Sequence, residues 1–299
     1  MTSLPTLPSC LRDAGYATAL IGKWHLGYPP AFGPLRSGYD EYWGIMAGGV
    51  DYFSHCSSKG DHDLYSGESA HHEPGYLTDL LSRRAADHVR RMALQDAPFF
   101  LSLHYTAPHW PWETRDDAAV APELAANLFH LHGGNVDSYR RMIHHMDEGI
   151  GALVAELRTQ GLLEDTLIVF TSDNGGERFS DNWPLVGGKM DLTEGGIRVP
   201  WIVHWPSGVP AGATTGQHCM TMDMAVTMLD AAGADLGSMR GGAHPIDGVS
   251  MQDVLRDPTR RIARDMHWRM NHRAQRALRQ GRWKYLKVDE HEYLFDIAA

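Results

Sequence analysis

Amphipathic helical segments alternate with short apolar runs along most of this chain, and that alternation constrains the fold more than any other feature. Apolar residues at helical spacing predict helices at 4–15, 77–92, 138–161 and 222–232, with Thr78 and Ser138 as the residues expected to begin the second and third. Apolar runs between them predict strands at 17–21, 99–103, 166–170 and 199–205, and 166–170 is the clearest buried strand. Strands connected through helices run parallel in one sheet. The sequence therefore predicts an α/β fold with a mostly parallel central sheet flanked by helices.

The segment after residue 258 has a different pattern. Short runs at 263–270, 275–278, 283–288 and 293–297 are separated by tight turns and predict a small antiparallel sheet. We therefore expect two domains, an α/β core over 1–258 and a C-terminal antiparallel subdomain over 259–299. Residues 28–75 are rich in Gly, Pro, Tyr, His and Ser with little periodicity, which predicts a long irregular region of the kind that often carries function.

Composition excludes several classes of protein. The 299 residues carry a formal net charge of −10, so the chain lacks the basic surface that nonspecific nucleic-acid binding needs. No apolar run is long enough to span a bilayer, and the first ten residues lack the features of a secretory signal, which predicts a cytoplasmic protein as the sequence stands. Three scattered cysteines without a C-x-x-C motif exclude a disulfide framework and a thiolate zinc site. Nothing in the sequence indicates an oligomeric state.

Polar residues follow the predicted strands, where open α/β sheets bind their ligands. Lys23 and His25 follow the first strand, and a cation beside an imidazole suits a sulfate or phosphate group. His109 lies between two prolines after the second strand. Asp173 and Asn174 follow the third strand and offer the hard oxygen ligands that Ca²⁺ or Mg²⁺ prefers.

Each of these clusters, taken alone, is better explained by ordinary structure. Lys23 and His25 would form a strand-end turn, His109 would be a packed loop histidine, and the Asp-Asn-Gly-Gly sequence at 173–176 would be a turn. The same holds for Lys189, which would be a surface lysine beside glycines. Glu194 and Arg198, farther along the chain, are expected to form an ordinary surface ion pair.

Taken together, the clusters resemble those of the sulfatase family. The sequence at 15–27 matches the family signature G-Y-x-T-x-x-x-G-K-W-H-L-G nearly residue for residue. After it come Pro-His-x-Pro, Asp-Asn-Gly-Gly, Gly-Gly-Lys and Glu-Gly-Gly-x-Arg-x-Pro, in the family's order. The similarity runs from about residue 4 to the C-terminus and extends to arylsulfatases and N-acetylgalactosamine-6-sulfatases. It implies the fold of the alkaline-phosphatase superfamily.

The resemblance also implies a chemistry for these residues. Lys23, His25, His109 and Lys189 would be the catalytic residues that contact the sulfate group and the nucleophile, and Asp173 and Asn174 would complete a Ca²⁺ site, with Mg²⁺ as the alternative metal. His109 is our candidate for the acid that protonates the leaving alcohol. The substrate would be a sulfate ester of a small molecule or a saccharide, and the partners would include neither nucleic acid nor membrane.

Two expected parts of the family pattern do not occur in the sequence. Sulfatases make a formylglycine nucleophile from the Cys of C-x-P-S-R, and the chain contains no such motif. The first strand of the family, with its paired Asp ligands, is also missing. We therefore expect a sulfatase shortened at both ends, with impaired activity, and periplasmic or secreted if an upstream signal segment is missing. The alternatives are a phosphoester hydrolase of the same superfamily and a non-catalytic anion-binding protein.

Overall fold

The computed structural model describes residues 4–125, 133–234 and 246–298. The chain divides into two compact units. The N-terminal unit comprises Met1–Glu164 and Met228–Ile246, and the C-terminal unit comprises Asp165–Thr227 and Asp247–Ala299. The prediction of domains over 1–258 and 259–299 stays a prediction about folding units.

A five-stranded mixed sheet forms the centre of the N-terminal unit. Its strands are β1 (Ala17–Gly22), β2 (Glu41–Gly44), β3 (Tyr65–Ser66), β4 (Ser69–Ala70) and β5 (Phe99–His104). The sheet order is β4-β3-β2-β1-β5, in which β1 is parallel to both β2 and β5 while β3 and β4 add antiparallel pairings. Because β1 lies in the middle, the residues that follow it emerge between the ends of two parallel neighbours.

Among the described residues, four α-helices lie wholly within the N-terminal unit. They are α1 (Leu7–Asp13), α2 (Leu77–Met92), α3 (Ala121–Ala125) and α4 (Val136–Thr159). Helix α2 places its buried side chains at helical spacing, among them Leu77, Leu81 and Ala85. It packs along α4 as well as against β1 and β5. The predicted helices are therefore confirmed in type and in approximate extent.

The two predicted helix starts are wrong by one or two residues. Helix α2 begins at Leu77, and its N-cap is Tyr76, whose side chain makes no capping hydrogen bond. Thr78 therefore lies inside the first turn with its side chain buried. Helix α4 begins at Val136, because the Asn135 side chain caps it by accepting a hydrogen bond from the backbone N–H of Ser138 at 2.9 Å.

The C-terminal unit contains two smaller sheets. Strands β6 (Ile168–Thr171) and β7 (Trp201–His204) form an antiparallel pair. The second sheet is antiparallel with order β11-β10-β9-β8, and it consists of β8 (Asp265–Arg269), β9 (Arg276–Gln280), β10 (Trp283–Val288) and β11 (His291–Asp296). Helices α5 (Glu194–Ile197), α6 (Thr221–Ala231) and α7 (Gln252–Arg256) connect these strands, and α6 extends across the boundary of the unit.

The α/β class and the C-terminal antiparallel sheet are confirmed, and two details differ. Strands β2, β3 and β4 fall in the region 28–75 that was expected to be irregular, because runs of two to four residues are too short to show a period. Strands β6 and β7, which were expected in the parallel central sheet, form a separate antiparallel pair in the part of the chain that the structure describes, and β6 is therefore half-buried rather than buried. In that same part of the chain, no helix combines the length and the apolar character needed to cross a membrane.

Candidate active site

Lys23 begins the loop that leaves β1, and its backbone is fixed on both sides. Its N–H donates to the carbonyl of His104 at 2.9 Å, and its carbonyl accepts from Nδ1 of His104 at 3.0 Å. Gly22 makes this approach possible, because a Cβ at that position would collide with the His104 carbonyl. The Lys23 side chain therefore starts from a rigid point at the carboxyl end of the sheet.

His25 and His109 lie against the same glycine pair. A Cβ placed on Gly48 would be 2.5 Å from Cε1 of His25, and one placed on Gly49 would be 3.1 Å from Nδ1 of His109. Only residues without a side chain allow two imidazole rings to approach the backbone this closely. His25 also has a positive φ of 57° and donates its N–H to the Met46 carbonyl. The structure thus brings together two of the predicted residues from separate segments.

The backbone around His109 determines which ring nitrogen can exchange a proton. Nδ1 of His109 lies 2.7 Å from the Trp110 carbonyl oxygen, which can only accept. Nδ1 therefore carries a hydrogen, and the proton that the ring gains or loses is carried on Nε2. The Tyr52 hydroxyl donates to the His109 carbonyl at 2.9 Å and so holds the backbone of this loop in place.

Asp173 and Asn174 follow β6 in the C-terminal unit. The Asp173 side chain is exposed, whereas Asn174 is half-buried and its Nδ2 donates to the Gly175 carbonyl at 2.9 Å. The Ser172 hydroxyl donates to the Asn174 carbonyl at 3.0 Å. These bonds shape a tight turn that presents two side-chain oxygens next to each other.

Lys189 is tied to the same turn. Its N–H donates to the Gly176 carbonyl at 3.1 Å, which brings it close to the segment that carries Asp173 and Asn174. Its Nζ pairs with Oε2 of Glu177 at 3.4 Å, and the side chain is 26% exposed. A cation with a carboxylate partner that is itself half-exposed can exchange that partner for another anion.

The C-terminal sheet supports the loop that carries Lys189. Gln275 is buried, and its side chain accepts from the Leu192 N–H at 2.9 Å and donates to the Met190 carbonyl at 2.8 Å. Glu194 pairs with Lys284 at 2.8 Å. The prediction of a surface ion pair between Glu194 and Arg198 is therefore wrong, because Glu194 points to the buried lysine of β10 instead.

The comparisons with known proteins identify the family. The family model for sulfatases matches residues 1–234 of the chain. This chain belongs to the sulfatase family. The chain is 32% identical over 272 residues to the N-acetylgalactosamine-6-sulfatase of Sus scrofa, with 83% of this chain and 48% of that protein covered. The chain thus spans about half the length of the curated relatives it matches.

Two solved structures are similar to this sulfatase over almost its whole length. The crystal structure of Ps i-CgsB in complex with k-i-k-neocarrahexaose has a TM-score of 0.83 and 31% sequence identity, and covers 98% of this chain and 68% of that one. The structure of BT4656 in complex with its substrate D-glucosamine-2-N,6-O-disulfate has a TM-score of 0.74 at 22% identity, and covers 98% of this chain and 75% of that one. The second likeness shows the fold.

The calcium ion that sulfatases generally use does not fit the described residues as a complete site. Ca²⁺ takes six to eight oxygen ligands. Asp173 supplies one carboxylate. Asn174 supplies one amide oxygen, and its amide nitrogen donates to the Gly175 carbonyl. Within residues 4–125, 133–234 and 246–298, no group of three or more His, Cys, Asp or Glu side chains could hold a metal ion.

The formylglycine of sulfatases has no matching cysteine in these 299 residues. Cys10, Cys56 and Cys219 all lie outside any C-x-P-S-R sequence and form no disulfide. Cys10 lies within α1, and burial raises the pKa of its thiol above the ordinary value. A thiol with a raised pKa is mostly protonated at neutral pH and is a poor nucleophile. By sequence, none of the three corresponds to the cysteine of the family motif.

Proposed function

We propose that this sulfatase acts on sulfate esters of carbohydrates. The observation that carries the proposal is the pair of imidazole rings, His25 and His109, against Gly48 and Gly49, directly after Lys23. A fixed cation and two fixed imidazoles suit an ester group with three anionic or partly anionic oxygens. Membership in a family of sulfuric ester hydrolases supports sulfate over phosphate as that group.

Lys23 and Lys189 are proposed to contact the sulfuryl oxygens. Negative charge moves during ester cleavage, and a cation placed beforehand stabilises that charge without reorganisation. Both lysines start from fixed backbone positions, Lys23 bonded to His104 and Lys189 bonded to Gly176. The Glu177 carboxylate holds the Lys189 ammonium at 3.4 Å until an ester group replaces it.

His109 is proposed to protonate the leaving alcohol. Its Nδ1 hydrogen is held by the Trp110 carbonyl, so Nε2 is the atom that delivers the proton. The Trp110 ring is tilted against the imidazole with centroids 4.6 Å apart, which restricts ring rotation. His25, whose ring lies against Gly48 next to the Gly49–His109 contact, is proposed to contact the ester oxygens.

An exposed tryptophan supports a saccharide as the carrier of the sulfate. Trp183 is 85% exposed and lies on the loop that leads to Lys189. The loop is ordered by Asn182, whose Nδ2 donates to the carbonyls of Gly176 and Gly187 at 3.0 and 3.1 Å. An aromatic face on an ordered loop is a typical surface for packing against a sugar ring. Similarity to Ps i-CgsB, solved with k-i-k-neocarrahexaose, supports the same substrate class.

Calorimetric titration with a sulfated galactan oligosaccharide tests the proposal. We expect binding to the wild-type chain, and Lys23→Ala and Lys189→Ala should each weaken it about tenfold or more, a loss of about 1.4 kcal/mol. Lys59→Ala is the matched control, because Lys59 is exposed on a turn in the region 28–75 and should not affect binding. Equal loss in all three variants would contradict the proposal.

The ester preference is tested with the unsulfated and the phosphorylated oligosaccharide. Sulfate and phosphate monoesters differ by one charge at neutral pH, so electrostatics alone would favour the phosphate ester. We expect the sulfated ligand to bind more tightly than both others. Tighter binding of the phosphorylated ligand would favour a phosphoester hydrolase, and equal binding of the unsulfated ligand would remove the proposed role of the two lysines.

A further inference from the structure

Two buried carboxyl groups follow the Gly48-Gly49 pair and His109 in the chain. Asp51 and Glu113 are each 0% exposed, and both carboxyl groups accept from backbone N–H groups of the same short segment, 52–54. Asp51 Oδ1 accepts from the backbone N–H groups of Phe53 and Ser54 at 3.1 and 2.6 Å. Glu113 Oε2 accepts from the backbone N–H of Tyr52 at 2.9 Å. One oxygen of each carboxyl is thereby satisfied.

The other two oxygens need a hydrogen between them. Asp51 Oδ2 and Glu113 Oε1 are buried, and no donor in the part of the chain that the structure describes reaches them. Two ionised carboxylates cannot hydrogen-bond to each other, and two buried negative charges side by side are strongly unfavourable. We propose that Asp51 and Glu113 share one proton, carried on Glu113, and that this proton fastens the loop on which His25 and His109 rest.

The pair is connected to both histidines by short paths. Asp51 follows Gly48 and Gly49, the residues that contact the two rings. Glu113 follows His109 on the same loop. Tyr52, which comes directly after Asp51, donates its backbone N–H to Glu113 and its hydroxyl to the His109 carbonyl. Asp51 and Glu113 contact no reacting atoms, so they act as positioning residues for the imidazoles.

The surroundings of Glu113 favour its neutral form. Burial is the largest cause that raises its pKa, to about 8, and the charges of Asp51 and Asp117 add to the rise, while the Tyr52 N–H opposes it. The titratable groups around the pair are Tyr52, His55, Tyr76 and Asp117, and the cation Arg115 lies near Tyr76. The Tyr52 and Tyr76 phenols are neutral, because burial raises their pKa as well. Arg115 is directed to Asp79 and Glu148.

The shared proton makes the stability of this loop depend on pH. The folded chain holds the proton up to about pH 8, whereas an unfolded chain releases it near 4.5. Stability from the pair is therefore complete below pH 4.5 and is lost as the pH rises towards 8, by up to tenfold in the unfolding equilibrium constant per pH unit. Above that range the contribution stays constant.

The decisive experiment compares Glu113→Gln with the wild type in urea unfolding from pH 5 to 9. The glutamine amide can donate to Asp51 and still accept from Tyr52, but it does not titrate. We expect the wild-type midpoint to fall with pH and level off above about 8, and Glu113→Gln to lose that component. Glu164→Gln, at an exposed position, should keep the wild-type profile. A Glu113→Gln profile identical to the wild type would overturn the proposal.

A second measurement separates positioning from stability. In the wild type, ring resonances of His25 and His109 should show an additional inflection as Glu113 titrates, and Glu113→Gln should retain only each ring's own titration. Asp51→Asn serves if Glu113→Gln does not fold, because its amide donates to an ionised Glu113 and should move the inflection to lower pH. Unchanged resonances in both variants would exclude the positioning role. The functional meaning rests on the proposed roles of His25 and His109, whereas the shared proton is tested without any substrate.

Discussion

The Lys284 ammonium lies 2.8 Å from a carboxylate oxygen of Glu194, and the lysine side chain is only 3% exposed. Glu194 begins α5, directly after the loop that carries Lys189, while Lys284 belongs to β10. Burial lowers the pKa of Lys284, and the Glu194 carboxylate opposes that shift. The pair therefore joins the C-terminal sheet to α5 through a lysine that is almost fully buried.

Lys284→Ala should destabilise the chain by about 3 kcal/mol, because it leaves the mostly buried Glu194 carboxylate with the more distant Arg279, at 3.8 Å, in place of a partner at 2.8 Å. Urea unfolding measures the loss. Lys287→Ala is the control on the same strand. Lys287 Nζ lies 3.7 Å from Glu292 Oε1, and both side chains reach solvent, so the substitution should lower the free energy of unfolding by about 0.5 kcal/mol or less. Equal losses in the two variants would contradict a special role of the buried pair.

Gln275→Ala should cost about 1–3 kcal/mol, because it leaves the Leu192 amide and the Met190 carbonyl without their partner. Hydrogen exchange of the Leu192 amide should accelerate more than the global loss of stability explains. Gln280→Ala removes an exposed glutamine that bonds to Asp265, and it should change stability by less than about 0.5 kcal/mol. No local acceleration at Leu192 would show that the loop is held by other contacts.

The comparison of sequence and structure shows what local patterns can specify. Strand β1 and the position of Lys23 after it were predictable, because an apolar run that ends at a glycine determines both. The contact of His25 with Gly48 was not, since it depends on how a separate loop folds back over the sheet. The one available signal was the Gly48-Gly49 dipeptide itself, which indicates a close approach without indicating to what.

The pairing of Asp51 with Glu113 lay beyond sequence reasoning for a similar reason. Each acidic residue stands in a loop where an exposed carboxylate is the usual expectation, and their separation in the chain gives no periodic signal. Burial of both is a property of the tertiary structure. The roles of Lys23, His25, His109 and Lys189 in catalysis stay predictions, and Lys23→Ala and Lys189→Ala test the two lysines.

Trp183→Ala should weaken binding of a sulfated oligosaccharide about tenfold and leave binding of inorganic sulfate unchanged, because the proposed contact is with the sugar ring. Stability should change by less than about 0.5 kcal/mol for so exposed a side chain. Calorimetric titration gives both affinities. Trp283→Ala, on the C-terminal sheet and 49% exposed, is the matched control and should bind like the wild type. A loss of sulfate binding in Trp183→Ala would indicate a perturbed Lys189 loop instead.

Ca²⁺ should bind this 299-residue chain weakly. Asp173 and Asn174 provide one carboxylate and one amide oxygen, which do not replace the hydration shell of the ion. At a Ca²⁺ concentration equal to the dissociation constant the gain in stability is about 0.4 kcal/mol, so millimolar Ca²⁺ should hardly raise the melting temperature. A tight site that is lost in Asp173→Ala would show that further residues of this chain complete the coordination.

The 299-residue chain should hydrolyse an aryl sulfate far more slowly than an intact sulfatase, because its sequence contains no C-x-P-S-R from which the family nucleophile is made. A chromogenic aryl sulfate assay with purified protein measures this, with Lys189→Ala as the blank for contaminating activity. Rapid turnover that disappears in Lys189→Ala would mean that another group of this chain attacks the ester.

Positions 48 and 49 should tolerate substitution much less well than the loop that follows His25. A Cβ at Gly48 would displace the His25 ring, and one at Gly49 would press on His109, so substitutions at 48 should be tolerated least. Leu26, Tyr28 and Phe32 lie in the loop after His25, and their large side chains are all exposed. Libraries that vary these three residues should therefore yield folded proteins with altered ligand preference, which makes this loop the natural starting point for laboratory evolution of new selectivities.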